Sequence, residues 1–199
     1  MQPSTFIFYG RSGAGKGTQA RLLQERLERE GDRVVYIETG KGFREFVKQE
    51  ADRNYTAGLT KKVMETGGVL PAFLPIWVWT SRLVEKFTGK EHLILDGLAR
   101  KEEEAPVLHS ALEYYGLLPR TFVIFINTSR EWSKQRLLER GRSDDNEAEI
   151  ERRLNWFDTD ALPAMEYFKN IGDVTFVDVT GEGTIEEVHE RMLQGIGLS

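Results

Sequence analysis

The chain has 199 residues, of which 40% are hydrophobic and 30% charged, with a formal net charge of −5. That length suits one domain with a substantial core, and the composition is that of a folded, water-soluble chain and not of a disordered one. With no cysteine there is no disulfide framework, thiolate nucleophile, iron–sulfur cluster or cysteine-ligated zinc, and the acidic balance argues against a nucleic-acid polymer or an anionic membrane as partner.

The amino terminus, MQPSTFIFYG, has neither a basic n-region nor a long apolar h-region, so no secretory leader is expected. A first strand is read at Thr5–Tyr9, and the helix after it carries Leu22, Leu23 and Leu27 at helical spacing. A second strand, Val34–Ile37, precedes a connection from Thr39 to Glu91 that is too long for one crossover. It holds helical patterns over Gly42–Ala51, Thr56–Thr66 and Ala72–Phe87, which read as a helical insertion. The third pattern contains the longest apolar stretch, Phe73 to Trp79, broken by Pro75 and too short to span a bilayer. A cytoplasmic protein is the expectation. Trp77 and Trp79 sit two apart and point to opposite sides, which predicts burial of this helix on more than one face. Later strands are read at His92–Leu95, Thr121–Ile126 and Val174–Val179, with Ile150, Leu154 and Phe157 marking a helix between the last two. All five strands are short and continuously apolar, as in a parallel sheet covered on both faces. The alternation predicts an α/β fold in a single domain over 1–199: three layers, doubly wound around a parallel five-stranded sheet, with right-handed crossovers.

Gly10-Arg11-Ser12-Gly13-Ala14-Gly15-Lys16-Gly17-Thr18 follows the first strand directly and opens the first helix. Gly10, Gly15 and Lys16 match the G-x-x-x-x-G-K pattern of a phosphate-binding loop. Glycines let the backbone curl so that successive N–H groups face one anion, and the helix N-terminus adds partial positive charge. Lys16 supplies a mobile full charge for the outer phosphates. A Gly-rich turn with a surface lysine is the bland alternative; the strand before and the helix after favour nucleotide binding.

GxxGxGKGTQ resembles the phosphate loop of the nucleoside-monophosphate kinases of the adenylate kinase family, in which Lys-Gly-Thr is usual; the family commonly has proline where this chain has Ser12. Ile37 to Arg44 looks like the segment entering the monophosphate lobe, here 39–68, and Gly67-Gly68-Val69-Leu70 like the turn lining the acceptor base. Leu95-Asp96-Gly97-Leu98-Ala99-Arg100 is similar to the LDGFPR signature, Arg136 to Asn146 with Arg152-Arg153-Leu154 to the lid and its following helix, and Gly181 to Ile185 to the loop over the donor base. The resemblance implies a phosphate-loop NTPase fold with an NMP-binding insertion and a very short lid, 137–146. It implies reversible, magnesium-dependent phosphoryl transfer, ATP + AMP = 2 ADP, by a monomer or small homo-oligomer.

Such transfer needs alignment and positive charge more than covalent chemistry, and arginine's fork suits phosphate oxygens. The resemblance carries the donor site onto Gly10, Gly13, Ala14, Gly15, Lys16, Gly17 and Thr18, with Arg136 stacking on the base, Arg140 reaching the transferring group and Gly183 nearby. It carries the AMP site onto Thr39, Gly40, Arg44, Val69, Gly97, Arg100 and Glu104, with Arg142 and Arg153 joining from the lid side. Lys16, Arg100, Arg140, Arg142, Arg153 and Asp96 form the catalytic set. Asp96 ends a strand at the carboxyl edge of the sheet and would orient magnesium-bound water, with Thr18 nearby; a helix-capping aspartate is its plain alternative. No direct protein ligand to metal and no zinc are expected: His92, His109 and His189 lack metal-ligand spacing. Arg152, with acidic neighbours, reads as a surface ion pair. Glu102 and Glu103 read as first-turn helix charges.

Three departures from the family matter. Glu104 stands where adenylate kinases usually carry glutamine, and a carboxylate accepts but cannot donate. AMP is the expected acceptor because Thr39 matches adenylate kinases, with relaxed or GMP-leaning selectivity as the alternative. Arg142 follows Gly141 at once, so the lid is truncated, and ATP hydrolysis or cover from a neighbouring subunit is expected. Ala99 replaces the signature proline, so no cis peptide is expected and Arg100 is expected to shift slightly. A gluconate-type kinase is the nearest enzymatic rival, and a nucleotide-binding regulator the non-enzymatic one.

Overall fold

The computed structural model describes residues 2–66, 68–141 and 146–198. Five parallel strands, β1 (Thr5–Tyr9), β2 (Val34–Glu38), β3 (His92–Asp96), β4 (Thr121–Asn127) and β5 (Thr175–Thr180), lie in the order β2-β3-β1-β4-β5. β1 and β3 are buried along their whole length, which explains their uninterrupted apolar runs. Helices α1 (Lys16–Arg29) and α9 (Ile185–Gly195) cover one face, where Leu23, Leu27, Val188 and Met192 pack on Phe6, Phe8 and Ile124. Helices α4 (Phe73–Lys86), α5 (Ala105–Tyr114) and α8 (Leu162–Asn170) cover the other, where Trp79, Leu83, Leu108, Met165 and Phe168 meet Ile7, Leu93 and Val123. These are the three layers of the doubly wound α/β fold.

All five strands end on one edge, and β1 is flanked by β3 on one side and β4 on the other. The order reverses at β1, and ligands of such sheets sit outside the carboxyl ends at that switch. The insertion between β2 and β3 is made of α2 (Thr39–Glu50), α3 (Tyr55–Glu65) and α4. Helix α2 starts at Thr39, three residues before the sequence pattern, because Gly40 and Gly42 conceal its first turn. Gly42 is there for closeness: a β-carbon on it would lie 2.4 Å from Val78 Cγ1 of α4. On the lid side, α6 (Arg130–Arg140) and α7 (Glu147–Trp156) pack through Leu137, Ile150 and Leu154. The lid segment 137–146 therefore comprises the last turn of α6 and the connection 141–146, of which Arg142 to Asp145 lie outside the described residues.

One expectation, burial of α4 on more than one face, holds without Trp77, and another needs correction. Trp79 is fully buried, but Trp77 is 46% exposed, shielded by an edge contact with Phe46 at 5.0 Å between ring centroids. Phe73 and Val84 are exposed too, so α4 buries one face on the sheet and another on α2 and leaves a third open. Glu102 and Glu103 precede α5, which begins at Ala105 with Pro106 in its first turn, where a missing N–H costs nothing. No helix among the described residues is long and apolar enough to cross a membrane.

Candidate active site

The loop after β1 turns on glycines. Gly10, Gly13 and Gly15 have φ of +146°, +88° and +90°, and a β-carbon on Gly13 would lie 2.5 Å from the Ser133 carbonyl oxygen. Only glycine suits that backbone at that distance. The Lys16 ammonium folds back over the loop and donates to the carbonyls of Gly10 and Arg11 at 2.7 and 2.9 Å. Burial pulls its pKa down to about 8, against Asp96, which favours the charge, while Arg100 and Arg140 oppose it. Arg11 ties the loop outward, donating to the Thr128 carbonyl at 3.1 Å and to Asp158 at 2.7 Å.

Asp96 stands at the end of β3, 8% exposed, and its Oδ2 would lie 3.3 Å from a β-carbon on Gly17. The same oxygen accepts the Tyr36 hydroxyl at 2.9 Å. Burial and Asp96 together hold Tyr36 above its ordinary pKa, so it is a fixed donor. Asp96 and the exposed Thr18 offer hard oxygens beside the loop, which fits a magnesium ion that keeps most of its waters. Among the described residues no group of three or more His, Cys, Asp or Glu side chains is arranged to hold a metal directly.

Next to this half lies a cleft of about 340 Å³, within the range of roughly 300–1,000 Å³ usual for small-molecule sites. Phe43, Met64, Val69, Leu70 and Pro75 form its apolar wall, and Thr39, Gly40, Gly97, Arg100, Glu104 and Arg153 its polar side. The Thr39 hydroxyl and the Trp156 indole N–H are buried there with no hydrogen-bond partner among the described residues. Buried polar atoms are normally satisfied, so both are available to a polar ligand. The Arg100 guanidinium lies over the Trp156 ring, 4.4 Å from its centroid. It also bears electrostatically on Lys16 and is itself acted on by Asp96, Glu104 and Arg153. Glu104 is only 2% exposed, and burial raises its pKa to about 7 against the Arg100 backbone N–H, which donates to it at 3.3 Å, and the charges of Arg100 and Lys101.

The other sequence-read residues lie around these two halves. Arg44 stands at the cleft edge beside Gly40, exposed, donating to Glu38 at 2.8 Å. Arg140 ends α6, exposed, within electrostatic reach of Lys16. Arg136 is exposed on α6, its guanidinium 5.8 Å from the Trp132 ring centroid. Gly183 has φ +133° and precedes Thr184, which caps α9; the neighbouring Ile185 carbonyl accepts from Gln19 of α1. Arg142 lies outside the described residues.

Sequence reasoning missed four side chains. Tyr36 reads as one more core residue of β2; its phase with Val34 and Glu38 was the available signal. Glu38 and Trp156 show their roles only through contacts with Arg44 and Arg100. Arg152 makes the ion pair read from its acidic neighbours, with Glu149, but it also lines the cleft and donates to the Thr66 carbonyl at 3.0 Å, joining α7 to the end of α3.

The adenylate kinase family model matches residues 8–173. The curated adenylate kinase of Corynebacterium aurimucosum is 32% identical over 196 residues, covering 96% of this chain and 98% of that protein. Those of Leptospira biflexa and Mycobacteroides abscessus are 34% and 31% identical over 194 and 191 residues, with the same shares covered.

Proposed function

The chain belongs to the adenylate kinase family and is a nucleoside-monophosphate kinase, and from that membership we propose that it moves the γ-phosphoryl group of ATP reversibly onto AMP, giving two ADP. One observation carries the division of the site: Arg100 borders the apolar cleft and at the same time acts on Lys16 beside the phosphate loop. Two half-sites meet at one cation.

In this reading the loop from Gly10 to Thr18 holds the donor phosphates through backbone N–H groups, and Lys16 exchanges its carbonyl partners for the β- and γ-phosphates. The cleft takes AMP, its base against the apolar wall and Thr39, its phosphate between Arg100 and Arg44, which trades Glu38 for it. An AMP phosphate oxygen attacks the γ-phosphorus as the bond to the β-phosphate oxygen breaks. The acceptor oxygen is already ionised at neutral pH, so no general base is required. Arg140 and Arg153, with Arg142 by resemblance, offset the charge spread over the migrating group. Magnesium supplies further charge neutralisation when bound with the nucleotide; Asp96, steadied by Tyr36, and Thr18 would hold it through its waters. Gly183 and Arg136 flank the donor base. The protein works in the cytoplasm as a monomer or small homo-oligomer.

Replacing Lys16 by alanine tests this reading. A coupled assay with ATP and AMP should show kcat lower by about 10²–10³, the usual cost of removing one preorganised charge stabiliser. A variant within about tenfold of the parent would refute the phosphate-loop assignment. The same assay with GMP, CMP, UMP and gluconate as acceptors separates the family reading from a sugar-acid kinase.

A further inference from the structure

Glu104 is a buried carboxyl in a cleft whose other charged groups are Arg100, Lys101, Glu149, Arg152 and Arg153, set among apolar and uncharged polar groups. Its Oε2 accepts the Arg100 backbone N–H at 3.3 Å. That leaves Oε1 and the second lone pair of Oε2 for whatever enters the cleft. Adenine presents an acceptor, N1, next to a donor, the N6 amino group. Guanine presents two donors side by side, N1–H and the N2 amino group. A neutral carboxylic acid offers one O–H beside one acceptor oxygen, which complements adenine; a carboxylate offers two acceptors, which complements guanine. Thr39, the other polar side chain suited to a base edge, has a hydroxyl that both donates and accepts and so does not discriminate.

Taking the cleft as the acceptor site argued above, we propose that the protonation state of Glu104 selects the acceptor base: the neutral acid takes AMP, the carboxylate takes GMP. The groups around it are balanced enough for both states to be accessible. On its own segment Arg100 and Lys101 favour the carboxylate and Glu103 opposes it. From β1 comes Tyr9, neutral and held well above its ordinary pKa by burial. Across the cleft α7 presents Glu149, Arg152 and Arg153, with Arg152 already paired to Glu149. Helices α2, α3 and α4 contribute only uncharged groups to the lining, Thr39, Gly40, Phe43, Met64 and Pro75. Burial wins over the cations by enough to bring the group to about 7, inside the working range of an intracellular pH.

The test is the ratio of kcat/KM for AMP to that for GMP, measured on the full-length enzyme from about pH 6 to about pH 8. Ionisation of Lys16, of ATP and of the acceptor phosphate affects both acceptors alike and cancels in the ratio. A group titrating near 7 loses about tenfold of its acid form and gains about tenfold of its base over that span, so the ratio should fall about 100-fold. With Glu104→Gln, which presents one donor and one acceptor at every pH, the ratio should favour AMP and stay flat. Binding calorimetry in buffers of different ionisation heat gives a second readout. At any one pH AMP should take up about one proton more than GMP, the shared phosphate ionisation cancelling in the difference, and the Gln variant should show no such difference. A wild-type ratio that moves less than about threefold, or equal proton counts for the two nucleotides, overturns the proposal while leaving the kinase reading intact. Turnover of neither nucleotide would remove the kinase reading itself, and the proposal with it.

Discussion

Ala99 carries its backbone at φ +48°, a left-handed conformation that costs a residue with a β-carbon about 1–2 kcal/mol. It is fully buried, and its carbonyl accepts the Tyr9 hydroxyl at 2.8 Å. The next residue is Arg100, so the strain is held in place beside the cation that both half-sites share. The family signature has proline here, and the replacement by alanine was visible in the sequence. What could not be read was the conformation adopted instead, because it depends on Tyr9, 90 residues away. Tyr9→Phe keeps the ring and removes the anchor. It leaves a buried carbonyl unsatisfied, so stability should fall by about 1–3 kcal/mol, measured by urea denaturation. KM should rise for AMP and for ATP, since the displaced Arg100 borders the cleft and acts on Lys16. A variant with parental stability and parental AMP kinetics would show that Tyr9 is only core.

The hairpin of α6 and α7 shows what an element can do that no single residue reveals. Gly141 ends α6 at φ +62°, Asn146 caps α7, and only residues 141–146 connect them. Leu137, Ile150 and Leu154 bind the two helices, and Lys134 pairs with Glu147 and Glu151 while Arg130 pairs with Glu151 and Asp158. Exposed ion pairs add little singly, but several sharing partners reinforce an apolar contact. A connection so short has few residues with which to cover the transferring group, and closure is what keeps water from it. The enzyme should therefore release phosphate from ATP without acceptor, unless a neighbouring subunit supplies the cover. Phosphate release and light scattering on one sample decide this: no detectable hydrolysis by a proven monomer would sink both alternatives. Helices α1 to α4 and α7 were legible from periodicity, as were the five strands. Their edges were not, wherever glycine or a turn interrupts the pattern, as at Gly40 and Gly42 or before Ala105. Nor was the exposure of Trp77, which depends on where α2 lies against α4.

At the scale of the whole molecule the two half-sites come from different parts of the chain. The proposed donor half is one loop, residues 10–18, with Asp96 beside it, and its motif is local and therefore readable. The cleft proposed as the acceptor half gathers Thr39, Val69, Glu104 and Arg153 from four segments, and it is bridged by the Arg152 contact with Thr66 across 86 residues. No spacing rule reaches that far; only the resemblance to a family connected these segments beforehand. The net charge of −5 says nothing of it either, because a sum carries no position. Separate construction predicts separable binding. A ligand at about 100 times its Kd adds about 2.7 kcal/mol, which for a chain of this size is a rise in Tm of about 5–10 °C. A non-hydrolysable ATP analogue and AMP should each produce such a rise in the parent protein. Lys16→Ala should lose the shift with the ATP analogue and keep that with AMP, whereas Arg44→Ala should do the reverse. Arg100→Ala should weaken both, because Arg100 borders the cleft and acts on Lys16. If Lys16→Ala abolished the AMP shift as well, the two halves would not be independent, and Arg100 would lose its place as the point where they meet.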